Sequence, residues 1–270
     1  LIAEYILKNY DKAAFMTAAK LGVSVGVSES TVVRFAIELG FSGYPKLQKS
    51  LQELIKNKLT TVQRLELSSD YITEGHALKG VLKADMENIR STMEKIDYNT
   101  FEDVVNNIFA AKRIYIIGLR SSMALAEFLG FYLNIILQNV KTVGYGISDI
   151  FEQMINVGEG DLVIGIGFPR YASRTIDALA FAQDRGATVV AVTDSFLSPL
   201  AARADYSLIA QSNMASFVDS LVAPLSVINA LIIAVGMREK DNISSTFNSL
   251  EEIWQEYNVY SYNNRNVGDD

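Results

Sequence analysis

DLVIGIGFPRYASRT, residues 161–175, is a short apolar run closed by glycine, with a hydroxyl-rich helix start directly behind it. Asp161 to Phe168 reads as a buried strand, and Arg170, Ser173, Arg174 and Thr175 stand where the next helix begins. The same grammar recurs on both sides. Arg113 to Gly118 and Ala187 to Thr193 are similar runs, Tyr206 to Ile209 is a weaker one, and Val140 to Val143 is a further candidate. Helical stretches follow the first three, and strands alternating with helices are the signature of a parallel sheet with crossover helices.

From residue 1 to about 58 the grammar is one of short helices throughout. Ile2, Tyr5, Ile6 and Tyr10 form one expected stripe, and Phe15, Ala18, Ala19 and Leu21 begin a second after Asp11. Leu47, Leu51, Leu54 and Ile55 form a later stripe, entered through Pro45. Between 59 and 78 the pattern weakens into turn signals at Ser68-Ser69-Asp70 and Thr73-Glu74-Gly75. A helix from about Leu78 to Ile96 is expected to present Val81, Leu82, Met86, Ile89 and Met93 as its apolar side. The fold expected is therefore two-domain, an all-α bundle followed by an α/β domain with a mainly parallel sheet flanked by helices. The divisions expected are 1–58, a linker and connecting helix over 59–99, the α/β domain over 100–240, and a C-terminal helix and tail over 241–270.

GVSESTVVRFAIELGF, residues 26–41, carries the chemistry of the helical part. Ser28 is a natural N-cap, and Val32, Phe35, Ala36 and Leu39 recur at helical spacing as the buried stripe. Glu29, Ser30, Val33 and Arg34 are left facing outward beside Thr31. The preceding stretch Thr17 to Val25 can form a helix, and Gly26-Val27-Ser28 makes a tight turn, so the pair describes a helix-turn-helix. Gly22 is an unexpected residue inside the first of these helices.

Composition limits the alternatives. With no cysteine in 270 residues, disulfides, thiolate nucleophiles and thiolate metal sites are excluded. The single histidine, His76, excludes histidine-cluster zinc sites and reads as a linker residue, and no cofactor is expected. The net charge of −7 hides an asymmetry. Residues 1–60 hold eight Lys/Arg against five Asp/Glu, a balance of +3, and the remainder hold 16 against 26, a balance of −10. Phosphate attraction depends on local charge, so a mildly basic module on an acidic body is compatible with DNA. The longest apolar run, Leu221 to Gly236, is broken by Pro224, Ser226 and Asn229 and falls short of the roughly 20 residues of a membrane span. It reads as a buried or interface helix. With the amphipathic opening Leu1-Ile2-Ala3-Glu4, this sets the expectation of a cytoplasmic protein without membrane contact.

Phe15-Met16-Thr17, the stretch Val27 to Phe35, and Leu39-Gly-Phe-Ser-Gly-Tyr44 together resemble the N-terminal domain of the RpiR family of bacterial transcriptional regulators. In that family a helix-turn-helix domain precedes a SIS (sugar isomerase) domain. The resemblance implies double-stranded operator DNA as a partner and a DNA-facing set of Thr17, Ser28, Glu29, Ser30, Thr31, Arg34 and Lys46. Ser28 and Thr31 would meet the backbone, Ser30, Arg34 and Glu29 would read bases, and Lys46 would contact phosphate. The lesser alternative for Arg34 is a structural ion-pair partner.

The strand-to-helix junctions at Gly118-Leu-Arg-Ser-Ser122 and Gly167 to Thr175 line the crevice of an open α/β sheet, where hydroxyls and helix N-termini suit a phosphate. Neither a G-x-G-x-x-G nor a Walker Gly-Lys-Ser/Thr is present. Both loops resemble the phosphosugar-binding loops of SIS domains, which implies a site of Ser121, Ser122, Arg170, Ser173 and Thr175. Arg120 stands where such domains commonly carry a second glycine, so it could partly fill the pocket. The expected protein is a ligand-responsive transcription factor sensing a phosphorylated sugar. The alternative is a SIS-fold isomerase with Glu127 or Glu152 as base and the helical extension serving assembly. Phe128, Leu129, Phe131, Tyr132 and the apolar segment 221–236 point to a homodimer or homotetramer built through the α/β domain.

Overall fold

A computed structural model describes residues 1–55, 60–68, 77–214 and 217–261. His76 lies outside the described residues. The chain opens with five helices, α1 (Ile2–Lys8), α2 (Tyr10–Ala13), α3 (Ala18–Val25), α4 (Glu29–Glu38) and α5 (Tyr44–Ile55). Ile2, Ile6, Ala13, Leu21, Val32, Ala36, Tyr44 and Leu47 close one small core between them. Tyr44 is sunk in that core and donates its hydroxyl proton to Met16 O at 2.8 Å; burial pushes its pKa up to about 12.

Three expected stripe positions lie elsewhere. Tyr10 begins α2 and is exposed, Ala19 is exposed on α3, and Leu39 is the C-cap residue of α4, also exposed. The first helix of the turn motif also starts later than expected, because Thr17 caps it by accepting from Lys20 N at 3.2 Å.

Helix α6 (Thr61–Ser68) occupies a stretch where the sequence pattern weakens, and the turn signals over 69–75 lie outside the described residues. Helix α7 (Ala77–Lys95) lies where expected, with its faces reversed. Leu78, Leu82, Met86 and Met93 are exposed, while Asn88 and Thr92 are buried. The reason is the partner. Asn88 exchanges hydrogen bonds with the Asn213 backbone, at 2.9 Å to its carbonyl and 3.1 Å from its N–H, and Thr92 Oγ1 accepts from Gln211 N at 2.8 Å. A buried loop backbone demands partners, and α7 supplies them with its polar side.

The remaining elements alternate as expected: α8 (Tyr98–Ala110), β1 (Ile114–Gly118), α9 (Met123–Leu137), β2 (Val140–Val143), α10 (Ile150–Gln153), β3 (Leu162–Ile166), α11 (Ser173–Gln183), β4 (Thr188–Thr193), β5 (Tyr206–Ile209), α12 (Val222–Arg238) and α13 (Lys240–Glu256). The five strands are all parallel, in the order β2-β1-β3-β4-β5. The pleat divides their side chains. Ile114, Ile116 and Ile164 join α8, α9 and α12 in one core, while Tyr115, Ile117 and Val163 join α10 and α11 in the other. Both sheet faces are covered, which explains strands that are apolar at every position. At the amino ends, Arg113 donates to both carboxylate oxygens of the buried Asp161, at 3.1 and 2.9 Å. No single helix among the described residues is long and apolar enough to cross a membrane.

Candidate functional site

Two places combine chemistry with accessibility. The first is the α3–α4 turn. Gly26 ends α3 in a left-handed conformation, φ 78°, as a helix C-terminus favours. Gly22 is explained by contact: a Cβ there would stand 2.7 Å from Val27 O, so only glycine lets the turn fold back against α3. Ser28 accepts from Thr31 N at 3.3 Å, and its hydroxyl lies 2.8 Å from those of Ser30 and Thr31. Three hydroxyls thus gather at the N-terminus of α4, where the helix dipole favours negative charge. Glu29, Ser30 and Arg34 are exposed there, whereas Val33 is half-buried against the bundle core. Arg34 makes no ion pair with any described residue, and Thr17 and Lys46 are exposed.

The second is a cavity of about 400 Å³ at the carboxyl ends of β1 and β3. All five residues expected there, Ser121, Ser122, Arg170, Ser173 and Thr175, line it. Ser122 precedes α9 and makes no side-chain cap hydrogen bond, and Thr175 Oγ1 is buried without a hydrogen-bond partner. Arg120 also lines the cavity with φ 58°, the left-handed conformation that accounts for glycine at that position in similar loops. Arg170 shares this conformation, φ 63°. Strained backbone at two loops of one cavity is the kind of cost retained at binding sites. Arg174 is turned toward α10, pairing with Asp149 at 3.5 Å and lying over the Phe151 ring.

Sequence reasoning missed Tyr145 and Asp219, which reach the cavity from the loops after β2 and before α12. No periodic signal marks either. Glu127 and Glu152, the candidate bases, are exposed and do not line the cavity; Glu152 closes the capping box of α10 by accepting from Asp149 N at 2.9 Å.

A model of the helix-turn-helix domain of the rpiR family matches residues 1–58, and a model of the SIS domain matches residues 107–234. The chain belongs to the rpiR family. Its relatives agree. An uncharacterized HTH-type transcriptional regulator of Haemophilus influenzae is 27% identical over 91% of this chain and 87% of the relative. The sugar isomerase domain of an RpiR transcription factor from Sphaerobacter thermophilus is 29% identical, covering 66% of this chain and 99% of that one, at a TM-score of 0.63. The NanR protein of Vibrio vulnificus, complexed with ManNAc-6P, is 20% identical over 95% of this chain and 92% of its own, at a TM-score of 0.60, and shares the fold. This rpiR-family protein is a transcriptional regulator with a helix-turn-helix and a SIS domain.

Proposed function

We propose that this regulator binds operator DNA through α4 and that a phosphorylated sugar in the SIS cavity modulates that binding. The observation that carries the effector reading is Thr175 Oγ1: a buried hydroxyl without a partner, facing a cavity ringed by Ser121, Ser122, Ser173, Arg120 and Arg170. A buried polar group is seldom left unsatisfied unless something visits it. Two helix starts and two guanidinium groups suit a phosphate, and the ManNAc-6P of the NanR complex is of that chemical kind. On the DNA side, Ser28 and Thr31 hold the backbone, Ser30, Glu29 and Arg34 face the bases, and Thr17 and Lys46 add phosphate contacts.

Sensing without turnover fits the cavity better than isomerisation. Among the described residues the carboxylate that lines it, Asp219, is tied to Arg64 at 2.9 Å and is poorly placed to take a proton. The exposed apolar groups of α7, α9 and α12, among them Met86, Phe131, Tyr132, Ile233 and Met237, are covered by a second copy of the chain in a homodimer or homotetramer.

The test is operator binding by wild type, Arg34→Ala and the double variant Ser122→Ala/Thr175→Val, with and without a panel of sugar phosphates. Each lost hydrogen bond to the charged phosphate removes about 1.5–3 kcal/mol. The double variant should bind operator as wild type does and stop responding to the effector, while Arg34→Ala should lose specific binding. An unchanged response in the double variant would sink the effector site as placed.

A further inference from the structure

Helix α6 falls between the two family matches, yet its Thr61 and Arg64 reach residues of the SIS cavity. Thr61 Oγ1 accepts a hydrogen bond from Arg170 Nη1 at 2.8 Å. One helical turn later, Arg64 Nη1 donates to Asp219 Oδ1 at 2.9 Å. Arg170 and Asp219 both line the cavity. The i, i+3 spacing puts Thr61 and Arg64 on one face of α6, while Val62 and Leu65 are exposed. Arg64 has no exposed side-chain surface, and a guanidinium buried that deeply is tolerated only against a partner. Polar clamps on two cavity residues therefore hold α6 to the SIS domain.

We propose that α6 is part of the effector site and that the bound anion competes with Thr61 for Arg170, so that filling the cavity loosens the amino end of α6. The proposal rests on the effector reading above. Its physical basis is the inequality of two acceptors. The Thr61 hydroxyl is a neutral acceptor, whereas a phosphate adds full opposite charge and a bidentate geometry to its hydrogen bonds with guanidinium. Given both, Arg170 turns to the anion. The second clamp acts with the opposite sign. Asp219 alone would repel an anion from the cavity, and Arg64 cancels that charge, so docking at Arg64 favours binding. Helix α5 ends at Ile55 and α6 begins at Thr61, so the amino end of α6 is the part of it nearest in sequence to the DNA-binding domain.

Hydrogen exchange on the full chain, with inorganic phosphate and a panel of sugar phosphates as probes, tests this. In wild type, the anion should protect the loops around Ser122 and Thr175 while exchange in α6 accelerates. Thr61→Val should speed α6 exchange without ligand and tighten phosphate binding, each by roughly 10-fold, the lower end for one hydrogen bond to a charged group. Arg64→Met should weaken phosphate binding, and adding Asp219→Asn should restore it, a rescue that a merely structural role would not produce. Protected loops with unmoved α6 exchange, together with phosphate affinity unchanged by Thr61→Val, would overturn the competition and leave the effector reading standing. No protection of either loop by any probe would bring down the effector reading and the competition together.

Discussion

Helices α4 and α7 both read as amphipathic from their sequences, and the structure places them in opposite ways. Helix α4 buries Val32 and Ala36 and turns Glu29, Ser30 and Arg34 to solvent. Helix α7 buries Asn88 and Thr92 and turns Leu78, Leu82, Met86 and Met93 outward. Periodicity shows that a helix has two faces; the neighbour decides which is inside. For α4 the neighbour is the apolar core of its own bundle. For α7 it is the backbone at Gln211 and Asn213, whose polar groups need partners more than the helix needs to hide leucine.

Substitutions at three positions bear on this contrast. The largest loss of fold stability is expected from Asn88→Ala, which strands both the N–H and the carbonyl of Asn213 and should cost roughly 2–3 kcal/mol in urea unfolding. If it cost nothing, the inverted burial of α7 would be wrong. Ser28→Ala removes the α4 cap and should cost about 1 kcal/mol by the same measurement. Ser28→Asp, which keeps a capping oxygen, should recover most of it. The smallest effect belongs to Met86→Gln, within about 0.5 kcal/mol, because its side chain is 64% exposed. Light scattering on that variant should show a shift toward lighter species if, as proposed, a second copy covers this face, since the polar group removes apolar surface from it. A loss comparable to that of Asn88→Ala would mean that Met86 belongs to a core within the single chain.

How much was legible follows from the same physics. The strands could be read because both sheet faces are covered, leaving β1 and β3 apolar throughout and closed by glycine. The two cavity loops could be read because a parallel strand feeding a helix always places its junction at the carboxyl edge. Tyr145 and Asp219 come from loops with no such rule. Helix α6 was invisible for a related reason: Val62 and Leu65 point out and Arg64 points in, so its pattern matches no amphipathic template. Tyr10 and Leu39 failed as stripe members because each sits at a helix end, where the spacing still fits and the wall of the core has stopped.

The Arg64–Asp219 clamp joins residues 155 positions apart, and the Asn88–Asn213 pair spans 125. The helix-turn-helix core, by contrast, closes entirely within the first 51 residues. During synthesis the DNA-reading module can therefore reach its native fold while the connecting helices have nothing to hold them. Thr61 can meet Arg170 earlier, but Arg64, Asn88 and Thr92 gain these partners only when the segment from Gln211 to Ser220 has emerged, so the linker is completed late. The growing chain carries a finished helix-turn-helix module before the contacts that seat its connecting helices can form.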